Sequence, residues 1–285
     1  MIRSIALCAP LLVALFAPAL AQEEVERRFA VDPDAYVKVF VQDGSVRVTG
    51  WTKDSIAVTG TVARGELFAG GEGRNAKLGV WTDTDTAPGS ARLIVRVPAS
   101  ATVWVKSESA DARVAGVDAG VDVYSVTGAV RIEGEPRQVY AESMGGAVEI
   151  AADSPSVRAK SAAGEITFRG DTRDLTLSSV SGAVRVETDR PVRARLETVS
   201  GTVQWTGGID RGGALDVITH DGSAVLDLPA DVDADLEANT VRGSITLARE
   251  GANRVAAERL DVVLGAGGAR VTVRTFSGDV RLRTR

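Results

Sequence analysis

Cysteine and histidine are almost missing from this 285-residue chain, which holds one of each, Cys8 and His220. That scarcity removes disulfide bonds, thiolate metal sites and the usual zinc or transition-metal ligand sets. Aromatic residues make up only 5% of the chain. Beyond the first 20 residues no apolar run approaches the ~18 residues of a membrane-spanning helix. A basic excess is lacking too: once the leading segment is set aside, 38 acidic side chains face 32 basic ones, a balance of −6. A dominant nucleic-acid partner needs a basic footprint, so the composition argues against one. No G-x-S-x-G elbow or phosphate-binding glycine loop occurs, and a Ser-His-Asp set would have to use the single His220.

The leading segment reads as a signal peptide. Arg3 precedes an apolar run that closes on Ala19-Leu20-Ala21, so residues 1–21 are expected to be removed and the mature chain to begin at Gln22. Leu7 stands ahead of Cys8 where a lipoprotein signal wants a small residue. Export to the periplasm, the cell surface or the medium is the expected location.

What the chain has in abundance is a repeat. A ten-residue phrase returns nearly every 18 residues at Ser107, Ser125, Ser143, Ser161 and Ser179, with looser copies at Thr198, Thr219, Thr240 and Thr275 and an early relative around Gly44. A fixed period of this kind marks a stacked array. Counting from each turn glycine (Gly128, Gly146, Gly164, Gly182, Gly201, Gly222, Gly243, Gly278, with Ala110 in the same role), apolar residues stand at plus two and plus four. They also stand at minus seven and minus five, while minus three holds serine or threonine. Alternation with period two means a strand on each side of the turn, each with one buried face. The hydroxyl is expected to satisfy turn backbone groups and the glycine to supply permissive dihedrals.

A parallel winding and an antiparallel meander both fit this alternation. Like residues recur at one period rather than at mirror-related positions, which favours an all-β, single-stranded parallel β-solenoid (β-helix) with coils of about 18 residues. About ten coils at ~4.8 Å give a rod ~50 Å long. Residues 22–98 read as an irregular N-terminal β region and cap, with residues 64–77 a glycine-rich loop, continuous with the array at 99–285. Between Gly243 and Gly278 a degenerate coil is expected around Val255, Ala257, Val262 and Leu264. The chain is expected to stop on an edge strand guarded only by Arg281, Arg283 and Arg285, through which the terminal coil could self-associate.

The recurring S-x-x-G-x-V-x-[VIL] phrase, the stretch LIVRVPASATVWVKSES (Leu93 to Ser109) and the stretch LDLPADVDADLEANTVRGSI together resemble the bacterial putative adhesin family of β-strand repeats. That family is a domain of unknown function related to autotransporter adhesin head domains. The resemblance spans about residues 35–285 and implies the fold and export. It brings no catalytic residues to carry over.

Candidate chemistry is sparse. His220 reads as a solvated turn residue, and Asp231, Asp233 and Asp235 as a return loop, because Leu236 and Arg242 stand where a calcium loop needs glycine and glutamate. Carboxylate pairs such as Glu133 with Glu149, or Glu142 with Asp122, could lie on neighbouring coils as a sugar hydrolase requires, but charged outward columns produce such pairs by chance. No cofactor is implied. The sharper feature is aromatic. At minus six Trp104, Asp122, Tyr140 and Arg158 should stack; at minus four Lys106, Tyr124, Glu142 and Lys160 should lie beside them. Trp104, Tyr124 and Tyr140 then form a diagonal patch flanked by Arg158, suited to a glycan or an envelope protein. The plainer alternative, which base frequencies favour, is that these rings brace cross-strand neighbours or pack beneath an insertion at 64–91.

An adhesin-like binding or scaffolding surface at the bacterial envelope, without enzymatic activity, is the resulting expectation. A polysaccharide-active enzyme on the same scaffold, or an assembly or stress protein pairing through its sheet edge, are the competing readings.

Overall fold

In the computed structural model the period-two segments wind into coils of two strands each, and the coils stack into two long sheets. The structure describes residues 23–82, 87–249 and 252–285; the expected signal peptide lies outside them. Strands that lead into the glycine turns form a 13-stranded sheet, here the leading sheet, and strands that leave them form a 14-stranded following sheet. Neighbouring coils are parallel and in register: Val130 pairs with Val148, Val148 with Ile166, and Ile166 with Val184. Those four side chains are at most 1% exposed. The parallel solenoid is therefore the fold. Each buried Val, Ile or Leu in these columns stabilises it by roughly 1.5–3 kcal/mol, and Phe168 and Trp205 fill the plus-four column in the same way.

The turn glycines serve a purpose other than the expected one. Gly128, Gly146, Gly164, Gly182, Gly201 and Gly222 are not among the residues of positive φ. They are glycine because successive turns lie on top of one another: a Cβ on Gly164 would stand 2.0 Å from the carbonyl oxygen of Gly146, and one on Gly182 would stand 2.0 Å from that of Gly164. The hydroxyl column divides. Ser125 Oγ donates to the Gly128 carbonyl at 2.7 Å, Thr219 Oγ1 donates to that of Gly222 at 2.5 Å, and Thr198 Oγ1 accepts from the Gly201 N–H at 2.9 Å. The buried hydroxyls of Ser107, Ser143, Ser161 and Ser179 have no partner among the described residues.

Both ends depart from sequential order. The coil at 36–51 lies between the coils at 75–98 and 102–115, so Tyr36–Val41 pairs with Thr102–Ser107 on one side and Asn75–Trp81 on the other. Residues 64–77 are not a loop: Glu66–Glu72 is a strand that pairs antiparallel with Asn75–Trp81 at the sheet edge. Glycines are tolerated in such an edge strand, and Gly71 lets it close over Ala76, whose Cα would be 2.6 Å from an added Cβ.

At the other end the last coil, 269–284, inserts between the coils at 214–228 and 234–249. The chain therefore does not stop on a free edge. Val280–Thr284 is paired on both sides, and Arg283 and Arg285 are bound to Asp227 of the adjacent coil, with Nη2–Oδ2 distances of 2.8 and 3.2 Å. The expected degenerate coil is instead a pair of antiparallel capping strands, Ala252–Ala256 against Ile245–Arg249 and Arg259–Leu264 against Ala234–Thr240. An apolar pattern reads alike in either strand direction, which is why the reversal was invisible in the sequence.

Adding a methyl group at a stacked turn overpacks it, so Gly164→Ala is expected to destabilise the fold by about 1–3 kcal/mol. Gly70→Ala, with nothing within 4 Å of its added Cβ, should change the urea midpoint little. In the same assay Ser125→Ala should cost about 1 kcal/mol by removing a made hydrogen bond, whereas Ser143→Ala one coil later should be neutral or stabilising.

Candidate functional site

Stacking converts each outward position of the leading sheet into a column running along the rod. In register, Lys38 pairs with Trp104, Trp104 with Asp122, Asp122 with Tyr140 and Tyr140 with Arg158. The adjacent column runs Phe40, Lys106, Tyr124, Glu142, Lys160. Aromatic residues alternate between the two columns from coil to coil, which places them diagonally within reach of one another. The rings form a continuous ladder: Phe40 to Trp104 at 5.2 Å, Trp104 to Tyr124 at 5.6 Å and Tyr124 to Tyr140 at 5.4 Å between centroids, tilted by 60°, 45° and 37°. The diagonal of Trp104, Tyr124 and Tyr140 is brought together as expected, with Arg158 directly across from Tyr140.

Two rings were missed in the sequence. Phe40 occupies the minus-four position of the early relative, counted from Gly44, so its column was readable. Its neighbour was not, because contact with Trp104 requires the 36–51 coil to sit beside the 102–115 coil. Phe68 extends the ladder, 6.3 Å from Phe40. Gly79 lies between them in register, and an added Cβ there would meet the Phe40 Cβ at 2.8 Å. The strand pair at 66–81 thus widens the platform instead of covering it. Phe40, Leu67, Phe68, Lys77, Glu66 and Trp81 line an open groove of about 790 Å³ at that end.

Burial tunes one carboxyl among the rings and the tyrosines themselves. Desolvation raises the Asp122 carboxyl above the usual range. Tyr140 is pushed up to about 12, first by desolvation and then because its hydroxyl donates to the Glu142 carboxylate at 2.5 Å. Burial also raises Tyr36 and Tyr124, with Asp122 adding repulsion to each. The opposite, following sheet carries a different pattern: Glu133 is held by Arg113 at 2.6 Å and by Arg131 at 2.9 Å, and Arg131 also reaches Glu149 at 2.9 Å. These arginines lower the Glu133 carboxyl, which disfavours it as the protonated acid that glycoside hydrolysis needs.

Elsewhere, Asp233 Oδ1 accepts from the Ala266 N–H at 2.7 Å and Asp235 Oδ2 from the Gly268 N–H at 3.3 Å, so this acidic run anchors a loop. His220 is exposed and stacks on Phe276 of the inserted last coil, 4.9 Å between centroids. Among the described residues no group of three or more His, Cys, Asp or Glu could hold a metal, and no helix is long and apolar enough to cross a membrane.

The repeat, its stacking and its glycine turns are those of a β-strand solenoid, and comparison with family models specifies which. Residues 88–283 match Toastrack DUF4097, so the chain belongs to that family. Similar solved structures include one described as a putative lipid binding protein from Parabacteroides distasonis, at 11% identity and a TM-score of 0.56, covering 92% of this chain and 96% of that one. Another, a putative adhesin from the same species, is 8% identical with a TM-score of 0.50 and covers 92% and 97%. At these identities the likeness is one of fold. No curated protein sequence matches.

The ladder yields a titration test. A group whose pKa is raised on folding holds its proton more tightly in the native state, so the Tyr140 contribution to stability is intact below pH ~10 and is lost as pH rises through about 12. Ultraviolet titration should find no tyrosine of the native protein ionising at the ordinary value. Glu142→Gln should lower the last ionisation step by removing the charged acceptor.

Proposed function

We propose that this chain is an exported, non-enzymatic protein whose stacked coils carry a binding or scaffolding surface at the bacterial cell envelope, with the aromatic ladder as its contact face. One observation carries the reading. Phe68, Phe40, Trp104, Tyr124 and Tyr140 make an unbroken row of half-buried rings on one sheet face, in a chain whose aromatic content is only 5%. Rings with apolar bodies and polar tips are the anchors that recognition surfaces use. Bracing the sheet alone would not call for a row that crosses six strands, and the inward columns already hold the coils together.

A second reading rests on Asp122, a half-buried carboxyl with a raised pKa one coil from Glu142. Such a pair could act on glycosidic bonds. The Glu142 carboxylate already accepts from Tyr140, which favours an organising role.

The test is retention of purified protein on isolated bacterial envelopes. The parent should bind saturably, and the double variant Trp104→Ala, Tyr140→Ala should lose about tenfold or more in affinity while keeping its circular dichroism spectrum. Unchanged retention by the folded double variant removes the ladder as the contact face. Release of reducing sugar that stops in Glu142→Gln overturns the non-enzymatic reading.

A further inference from the structure

The ladder face concentrates lysine as well as aromatic residues. The chain has only five lysines, and four of them, Lys38, Lys77, Lys106 and Lys160, stand on this face with Arg158 and all three tyrosines of the chain. All five cations are exposed. None has an ion-pair partner among the described residues, whereas the arginines at the centre of the following sheet, Arg113, Arg131, Arg169 and Arg185, are bound to Glu133, Glu149, Glu187 and Glu165. Lys77 instead lies over the Phe40 and Phe68 rings at 5.0 and 5.4 Å.

Between the strand of Lys77 and that of Lys160, these five cations share the outward face with two carboxylates, Asp122 and Glu142; Glu66 and Glu72 lie beyond, on the outermost strand. A protein of net acidic charge thus collects unneutralised positive charge along its ring ladder. Flexible ammonium groups suit an anionic ligand whose charges need not match one fixed geometry.

The dimensions narrow the ligand further. Coils repeat at ~4.8 Å, and consecutive rings lie 5.2–5.6 Å apart, close to the advance per residue of an extended pyranose chain. The rings are tilted and pack on one another, so each presents an edge and part of a face. That suits the C–H face of a sugar better than a nucleobase, which stacks over a whole ring. The groove bounded by Phe40, Phe68, Lys77 and Trp81 continues the row at one end.

We propose that this face binds an acidic linear polysaccharide, a uronate-type polymer laid along the axis of the stack with one sugar residue per coil. This rests on the reading of the ladder as a contact face. Trp104, Tyr124 and Tyr140 would meet the sugar faces, while Lys106, Arg158 and Lys160 meet the carboxylates.

The test measures affinity of the full chain for polygalacturonate, for its carboxyl-reduced form and for oligo(dT). Binding to polygalacturonate that weakens with added salt, falls about threefold in each of Lys106→Gln and Lys160→Gln and falls about tenfold in Trp104→Ala supports the proposal, as does weaker binding of the carboxyl-reduced polymer. The lysine variants change exposed side chains and keep the fold, so they remain informative if Trp104→Ala unfolds. Equal affinity for the carboxyl-reduced polymer, no binding at low salt, or tighter binding of oligo(dT) overturns it. If polygalacturonate fails while envelope retention still depends on Trp104 and Tyr140, the ligand class is wrong and the contact face stands. If neither depends on the ladder, both readings fall.

Discussion

The structure depends on coils repeating in register closely enough for backbone to rest on backbone. Parallel ladders hold the strands, but the turns set how near the coils can come. A carbonyl of one turn lies where the next turn's side chain would begin, and glycine is the residue that permits it. Once that spacing is set, every inward position becomes a column of like side chains. Val130, Val148, Ile166 and Val184 are one such column, fully buried and directly paired.

The same constraint organises the surface. Any outward residue type repeated at the coil period becomes a line of that chemistry along the rod. At the centre of the following sheet arginines are neutralised by glutamates of neighbouring positions and coils, as Arg131 is by Glu149 and Arg169 by Glu187. On the leading sheet they assemble rings, lysines and two carboxylates, and burial there raises the pKa of Asp122 and of Tyr140. Surface pairs of the first kind contribute little to stability, about 0–1 kcal/mol each. Their effect is to neutralise the central arginines of that face, in contrast to the cations of the ladder face, which are unpaired among the described residues.

The regular part of the molecule was legible because period-two alternation and an 18-residue repeat place residues by arithmetic. Trp104, Tyr124, Tyr140 and Arg158 could be set beside one another without coordinates for that reason. The arithmetic fails where chain order and spatial order part. Phe40 lies in a recognisable column, yet its contact with Trp104 depends on the 75–98 coil passing to the far side of the 36–51 coil. Strand direction is likewise silent in an apolar pattern, so the antiparallel caps at 252–264 read as one more winding. The turn glycines were identified correctly and explained wrongly: dihedral freedom and steric clearance leave the same residue in the sequence, and only φ distinguishes them. The repeat is equally silent on which corner serine makes its hydrogen bond: Ser125 does, while Ser143 one coil later has no partner among the described residues.

The placement of the 269–284 coil between two earlier ones makes the packing of 214–249 depend on residues that follow it in the sequence. The coil at 234–249 has no neighbour on its inner side until residues 269–284 fill the gap. A chain truncated before residue 269 would be left with a slot rather than a shorter rod. Between 102 and 228, where chain order and spatial order agree, one more winding could be added without disturbing any interlock.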